Sequence, residues 1–130
     1  MVLEDADAMD DRLPWDIRER AFRFACDVVR FCLAFGRKPG CRHIADQLLD
    51  AGTSVGANSG EAKSAYSRRE FAVKNCIALK EARESAFWRR VIIACDLTSG
   101  PEAHRLLKEA GELIGIFTAT VRAARATKPT

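Results

Sequence analysis

Apolar residues recur every three or four positions over four long stretches of the chain, which is the spacing of one face of an α-helix. The first stretch has steps of 4, 3, 4, 3 and 4 between its apolar residues, which are Ile17, Ala21, Phe24, Val28, Phe31 and Phe35. The last stretch repeats this spacing from Leu106 to Ala124. The third stretch is less regular, because polar residues interrupt it. Helices are predicted over about 15–36, 41–65, 68–94 and 101–125.

Three short breaks separate these stretches. The first is "GRKPG", where Gly36 can cap a helix and Pro39 cannot continue one. Before the third helix, Ser67 and Glu70 have the spacing of a capping box. No run of alternating apolar and polar residues predicts a strand. We therefore predict an all-α protein, an up-down-up-down antiparallel four-helix bundle over residues 15–126.

The remaining segments are short. Residues 1–14 are acidic and lack helical periodicity, so we expect a flexible acidic arm, and residues 127–130 should fray. The 130 residues make one domain, and the 48% hydrophobic and 30% charged content is that of a globular protein. The chain has neither an apolar run of roughly 18 to 20 residues nor the basic and apolar start of a signal peptide. We expect a cytoplasmic protein without a membrane partner.

Residues that carry catalytic or metal chemistry do not cluster in the sequence. The five cysteines form no Cys-x-x-Cys pair, and His43 and His104 have no partner at metal-ligand or triad spacing. Dimetal bundles use Glu-x-x-His pairs, which this chain lacks. A carboxylate site formed by Glu61, Glu81 and Glu84 is the weaker alternative. We therefore predict no catalytic residue, no metal and no cofactor, and a protein that is not an enzyme.

Positive charge is concentrated in the third quarter of the chain. The net charge is +3, but residues 61–95 alone carry 8 Lys and Arg against 4 Asp and Glu. Such a segment suggests an acidic partner such as nucleic acid, although a solvated helix face has the same composition. In that second interpretation the arginines pair with acidic residues of helices 1 and 4. The candidate nucleic-acid-binding residues are Lys63, Arg68, Arg69, Lys80, Arg83, Arg89 and Arg90.

The second predicted helix contains three glycines four residues apart, Gly52, Gly56 and Gly60. Each costs about 1 kcal/mol relative to alanine inside a helix. A close-packed neighbouring helix would offset this cost, so we predict a close-packing face there.

Polar residues of the second and third helices are expected to meet across the turn near Tyr66. Residues equidistant from that turn are neighbours in an antiparallel pair, which predicts a Glu61–Lys74 ion pair. Asn58 would then bond Asn75 or a backbone group. The full set of this predicted structural network is Asn58, Glu61, Lys74, Asn75, Glu81 and Glu84.

A segment of about forty residues, Gln47 to Trp88, resembles the four-helix-bundle proteins encoded by intervening sequences in 23S ribosomal RNA genes. The likeness rests on "AGTSVGANSGEA", "REF" and the positions "K..IALKEARE" from Lys74 to Glu84. The accessory protein of diversity-generating retroelements is similar and belongs to the same superfamily.

The resemblance implies a left-handed bundle that assembles as a homopentamer, and it transfers no catalytic residue. Relatives in the retroelement branch bind nucleic acid and a reverse transcriptase through basic surfaces. We therefore expect a self-assembling protein that binds RNA or DNA through helix 3 and the 2–3 turn. The alternative is an adaptor for a nucleic-acid enzyme such as a reverse transcriptase, without nucleic-acid contact. Trp15 and Trp88 fit either the core or a subunit interface.

Overall fold

The computed structural model describes residues 16–126, which form four α-helices. The helices are α1 (Ile17–Phe35), α2 (Arg42–Lys63), α3 (Arg68–Ala94) and α4 (Glu102–Ala126). Each end lies within two residues of its predicted position. The predicted arm, Trp15 and the tail 127–130 lie outside the described residues. Within residues 16–126 no strand is present, as predicted for an all-α protein.

The helices pack in chain order as an antiparallel bundle. Each helix packs against the next, α1 also packs against α4, and the diagonal pairs of these four helices have no Cα atoms within 8 Å of each other. The start of α1 lies beside the end of α2, where Ala21 approaches Gly56. The start of α3 lies beside the end of α4, where Arg125 donates to the Sγ of Cys76 at 3.2 Å. The start of α1, the α2–α3 turn and the end of α4 therefore share one end of the bundle.

The predicted capping box forms at the start of α3. The Ser67 hydroxyl accepts a hydrogen bond from the Glu70 backbone N–H at 3.0 Å. The Glu70 carboxylate accepts the Tyr66 N–H at 2.7 Å. One free backbone donor of the first turn, the Glu70 N–H, is thus satisfied, and Glu70 binds the N–H of the residue before the N-cap in place of the Ser67 N–H. This cap fixes where the basic α2–α3 turn ends and where α3 begins.

The core explains why the stripe of α3 is irregular. Helices α1, α2 and α4 bury almost only apolar side chains, such as Val28, Leu48 and Phe117, each fully buried. The buried face of α3 instead includes polar residues, which are Asn75, Ser85 and Arg89. Because buried positions of α3 are polar, its hydrophobic periodicity in the sequence is weak.

The glycines of α2 have two different environments. A Cβ at Gly52 would lie 2.7 Å from a Val28 methyl group, and one at Gly56 would lie 3.1 Å from the Cβ of Ala25. These two glycines form the predicted close-packing face, and their neighbour is α1. The prediction was wrong for Gly60, because it is exposed and nothing lies within 4 Å of an added Cβ. At about 100° per residue, Gly60 lies about 80° around α2 from Gly52 and is turned away from α1.

Candidate nucleic-acid interface

The outward face of α3 carries a line of basic side chains. Arg69, Lys80, Arg83 and Arg90 are all exposed, and their spacings of 11, 3 and 7 residues place them on one side of the helix. Arg69 and Arg90 are 21 positions apart, which corresponds to about 30 Å along the helix axis. Lys63 and Arg68 extend it, exposed, around the α2–α3 turn. The structure thus places six of the seven predicted residues along the exposed side of α3 and at the turn before it.

The ion pairs that the structure describes involve other cations. Among residues 16–126, none of the six lies within 4.0 Å of a carboxylate. By contrast, Arg20 of α1 holds Glu109 at 2.7 Å and Glu112 at 2.9 Å. Arg105 of α4 holds Asp27 and Glu102. The interpretation in which α3 arginines pair with acidic residues of α1 and α4 does not describe this face.

An exposed aromatic ring lies within the basic line, and the sequence analysis missed it. Phe87 is 53% exposed, between Arg83 one turn before it and Arg90 one turn after it. Its ring contacts Trp88 edge to face, with 4.9 Å between the ring centres. The phenylalanine could have been found from its four- and three-residue spacing to these arginines. Such a ring can stack on an unpaired base.

Arg89 requires a correction, because the structure places it inside the protein rather than on the basic surface. Its side chain is 0% exposed. The guanidinium carbon lies 4.1 Å from the centre of the Phe31 ring on α1. Its Nε, Nη1 and Nη2 atoms have no hydrogen-bond partner among the described residues. Position 89 follows Ala82 and Ser85 on the buried side of α3, and helical spacing from those residues predicts its burial.

Burial changes the acid–base properties of Arg89 and its neighbour Cys32. Loss of solvent lowers the pKa of Arg89 to about 10, although the charges of Glu102 and Asp27 act in the opposite direction. Burial raises the pKa of the Cys32 thiol to about 11, and the charge of Arg89 opposes this change. At neutral pH the pair is therefore a guanidinium cation beside a neutral thiol.

Part of the predicted polar network forms across the α2–α3 pair. The Lys74 ammonium lies 2.6 Å from the Glu61 carboxylate, which confirms that ion pair. Asn58 bonds a backbone group, the carbonyl of Ser54, at 2.9 Å. Asn75 likewise donates to the carbonyl of Phe71 at 2.9 Å. Each asparagine thus donates a hydrogen bond within its own helix. Among the described residues of the predicted network, only Glu61 and Lys74 form a bond between α2 and α3.

Glu81 and Glu84 lie farther along α3 and do not join the Glu61–Lys74 pair. Burial raises the pKa of Glu81, and the neighbouring charge of Glu84 adds to the increase. Glu84 accepts the indole N–H of Trp88 at 3.2 Å. Trp88 is half-buried and packs against the core, which favours the core interpretation for this tryptophan. Within residues 16–126, no three His, Cys, Asp or Glu side chains are grouped as metal ligands.

A second surface, on α1, is apolar. Phe22 is 58% exposed and Leu33 is 62% exposed. Cys26 and Val29 lie between them, half-buried, and the spacing of 4, 3 and 4 residues makes a stripe. We call these four residues the α1 stripe. Large exposed apolar patches mark interaction surfaces, so the α1 stripe is a candidate for one.

Comparison with known proteins identifies the family. The sequence profile of the 23S rRNA-intervening sequence proteins matches residues 15–119. The chain belongs to this family.

The structural comparison agrees. The chain is similar to a crystal structure of a protein of unknown function from the S23 ribosomal protein family of Bacteroides thetaiotaomicron. The TM-score is 0.76 and the identity 27%, over 81% of this chain and 97% of that one. No match was found among curated proteins. In the part of this family member that the structure describes, no helix is long and apolar enough to cross a membrane.

Proposed function

We propose that this chain is a cytoplasmic, non-enzymatic, self-assembling protein that binds RNA or DNA through the outward face of α3 and the α2–α3 turn. The observation that carries the proposal is the alignment, along α3 and the turn before it, of six exposed cations that have no carboxylate partner in residues 16–126. They are Lys63, Arg68, Arg69, Lys80, Arg83 and Arg90. We define these six residues as the basic face.

Phosphate contacts explain what such a face can do. Exposed cations without a carboxylate partner also occur elsewhere in residues 16–126, for example Arg37 and Lys108, but the basic face aligns six of them over about 30 Å. Each cation that meets a phosphate releases condensed counterions, so affinity falls steeply as salt rises. Arg68 and Arg69 lie in the first turn of α3, where the helix dipole disfavours cations. Two arginines at an electrostatically unfavourable position support a role in binding an anion.

Self-assembly is proposed from the α1 stripe. Phe22 and Leu33 are large apolar side chains that gain stability when a partner covers them. We propose a homopentamer, in which every subunit contributes one basic face to a single ring. Several weak faces on one rigid assembly bind a long polyanion far more tightly than one face alone. Light scattering should give the mass of five chains, and Phe22→Asp with Leu33→Asp should lower it. A native mass of one chain would remove this part of the proposal.

The nucleic-acid proposal is tested with fluorescence anisotropy on a labelled single strand and a labelled duplex. Six phosphate contacts predict a loss of about 10³-fold in affinity between 50 and 200 mM salt. Arg68→Glu with Arg69→Glu should weaken binding at least about tenfold. The matched control is Arg37→Glu with Arg42→Glu, which changes the same charge at the opposite, exposed end of the bundle. Equal losses in the two double variants would count against the basic face.

A second candidate function is a protein adaptor, for example for a reverse transcriptase. The observation that favours it is the apolar surface within the basic face, where Val73 is 47% and Phe87 53% exposed. Protein interfaces combine such an apolar centre with a charged rim. An adaptor would co-elute with its partner enzyme and show no binding to RNA or DNA at physiological salt.

A further inference from the structure

The end of the bundle where α1 begins is strongly basic. Lys63, Arg68 and Arg69 lie there on the α2–α3 turn, and Arg122 lies in the last turns of α4. All four are exposed, and among residues 16–126 none is within 4.0 Å of a carboxylate. The aromatic side chain of Tyr66 is exposed at the same end, to 98%. This end is therefore cationic and carries an exposed aromatic ring.

The chain before α1 has the opposite charge. Residues 1–13 contain five carboxylates, Glu4, Asp5, Asp7, Asp10 and Asp11, against one arginine, Arg12. Leu3 and Leu13 lie on either side of these acidic residues, and Met9 lies among them. An acidic segment with interspersed apolar residues complements a basic surface with exposed aromatic and apolar groups.

The register of the bundle places Asp16, the first residue that the structure describes, next to the basic end. Ala21 approaches Gly56 across the α1–α2 contact, so Asp16 lies level with the last turn of α2. Lys63 ends that turn. Neighbouring helices are about 8–10 Å apart, so the α2–α3 turn is within about 20 Å of Asp16. Residues 4–11 precede Asp16 by 5 to 12 positions, and at up to about 3.5 Å per residue they can reach the turn.

We propose that residues 4–11 dock on the basic end of their own chain, with their carboxylates against Lys63, Arg68 and Arg69. The segment then occupies part of the surface that a nucleic acid would contact. It acts as an internal competitor, and a polyanion has to displace it. The docking stands on the charges and the register alone, whereas the competition rests on the proposed function.

Zero-length cross-linking with a carbodiimide tests the docking without any nucleic acid. At about 50 mM salt, mass spectrometry should find Lys63 joined to a carboxylate within residues 4–11, in a product with the mass of one chain. Lys38, in the loop at the opposite end, is the internal control. Salt near 0.5 M should remove the link, because screening shortens the range of charge attraction to a few ångströms. The docking is wrong if Lys63 forms no such link, if Lys38 forms it equally, or if the links join two chains.

Affinity measurements test the competition separately. Neutralising the segment with Asp5→Asn, Asp7→Asn, Asp10→Asn and Asp11→Asn should raise affinity for a labelled RNA about three- to tenfold at low salt. The increase should vanish in the Arg68→Glu, Arg69→Glu background. An equal increase in that background would show a general charge effect and overturn the competition. If the cross-link forms but no variant binds RNA or DNA, the docking holds and the proposed function fails.

Discussion

The guanidinium carbon of Arg89 lies 4.1 Å from the centre of the Phe31 ring, inside the bundle. This contact joins α3 to α1, which are diagonal in the bundle and have no Cα atoms within 8 Å of each other. The ring face attracts the cation, and the attraction reaches about 2 kcal/mol when water is excluded. It offsets only part of the cost of burying a charge without hydrogen-bond acceptors.

Arg89→Met therefore tests whether the buried charge costs stability. Methionine keeps an unbranched apolar chain and removes the charge, so the free energy of unfolding should stay the same or rise by about 1–4 kcal/mol. Urea unfolding measures it. Arg90→Met, next to it but exposed, should change the value by less than about 0.5 kcal/mol. If Arg89→Met lowers the free energy of unfolding by several kcal/mol, the guanidinium makes stabilising hydrogen bonds or ion pairs beyond its contact with Phe31.

Gly52→Ala tests the close approach of α1 and α2. The new Cβ would lie 2.7–2.9 Å from the Val28 side chain, whose exposure is 0%, so the helices must separate. We expect a loss of about 1–3 kcal/mol in the free energy of unfolding. Gly60→Ala is the control in the same helix and should add up to about 1 kcal/mol, because nothing contacts the new methyl group. Similar effects of the two substitutions would contradict the assigned packing.

The difference between Gly52 and Gly60 shows how far the sequence alone can predict this protein. Periodicity and capping signals predicted four helices, their order and the Glu61–Lys74 pair, since these depend on local spacing and on distance from a turn. A row of residues four apart rotates by about 40° at each step, so Gly60 lies off the face that contains Gly52, although the sequence analysis treated the three glycines as one face. The burial of Arg89 was missed because the sequence analysis grouped it with the other cations of α3. Its helical spacing from Ala82 and Ser85 was not considered.

The raised pKa of Cys32 predicts how stability depends on pH. The unfolded thiol loses its proton near the ordinary value of 9.0, whereas the folded thiol keeps it to about 11. Between pH 9 and 11 the unfolded state therefore binds fewer protons than the folded state. The protonated Cys32 thiol contributes its full share to stability below pH 9, and this share is lost as the pH rises towards 11. The expected slope is at most about −1.4 kcal/mol per pH unit.

Comparison of variants isolates this effect from other alkaline changes. Unfolding curves between pH 8 and 10.5 should have a shallower pH dependence in Cys32→Ala than in the native protein. Cys95→Ala, which removes an exposed thiol, should keep the native dependence. If Cys32→Ala and the native protein have the same slope, the Cys32 thiol is not protected as described.

Phe87→Ala tests whether unpaired bases stack on the basic face. The exposed ring should contribute about 1–3 kcal/mol to binding of a single strand and little to binding of a duplex, whose bases are already stacked. Phe87→Trp should keep the single-strand affinity, because it keeps an aromatic face. An equal loss of affinity for both nucleic acids would mean that Phe87 supports folding or assembly and does not stack on bases. Light scattering on the variant would then show whether the assembly is lost.

Lysine footprinting with RNA tests the central claim most directly. Acetylation rates of individual lysines are measured by mass spectrometry at about 50 mM salt, with and without a single-stranded RNA. The account predicts that RNA slows acetylation of Lys63 and Lys80, which belong to the basic face. Lys108, exposed on α4, should react at the same rate in both conditions. Protection of Lys108 with Lys63 and Lys80 unprotected, or no protection of any lysine, would contradict the proposed interface.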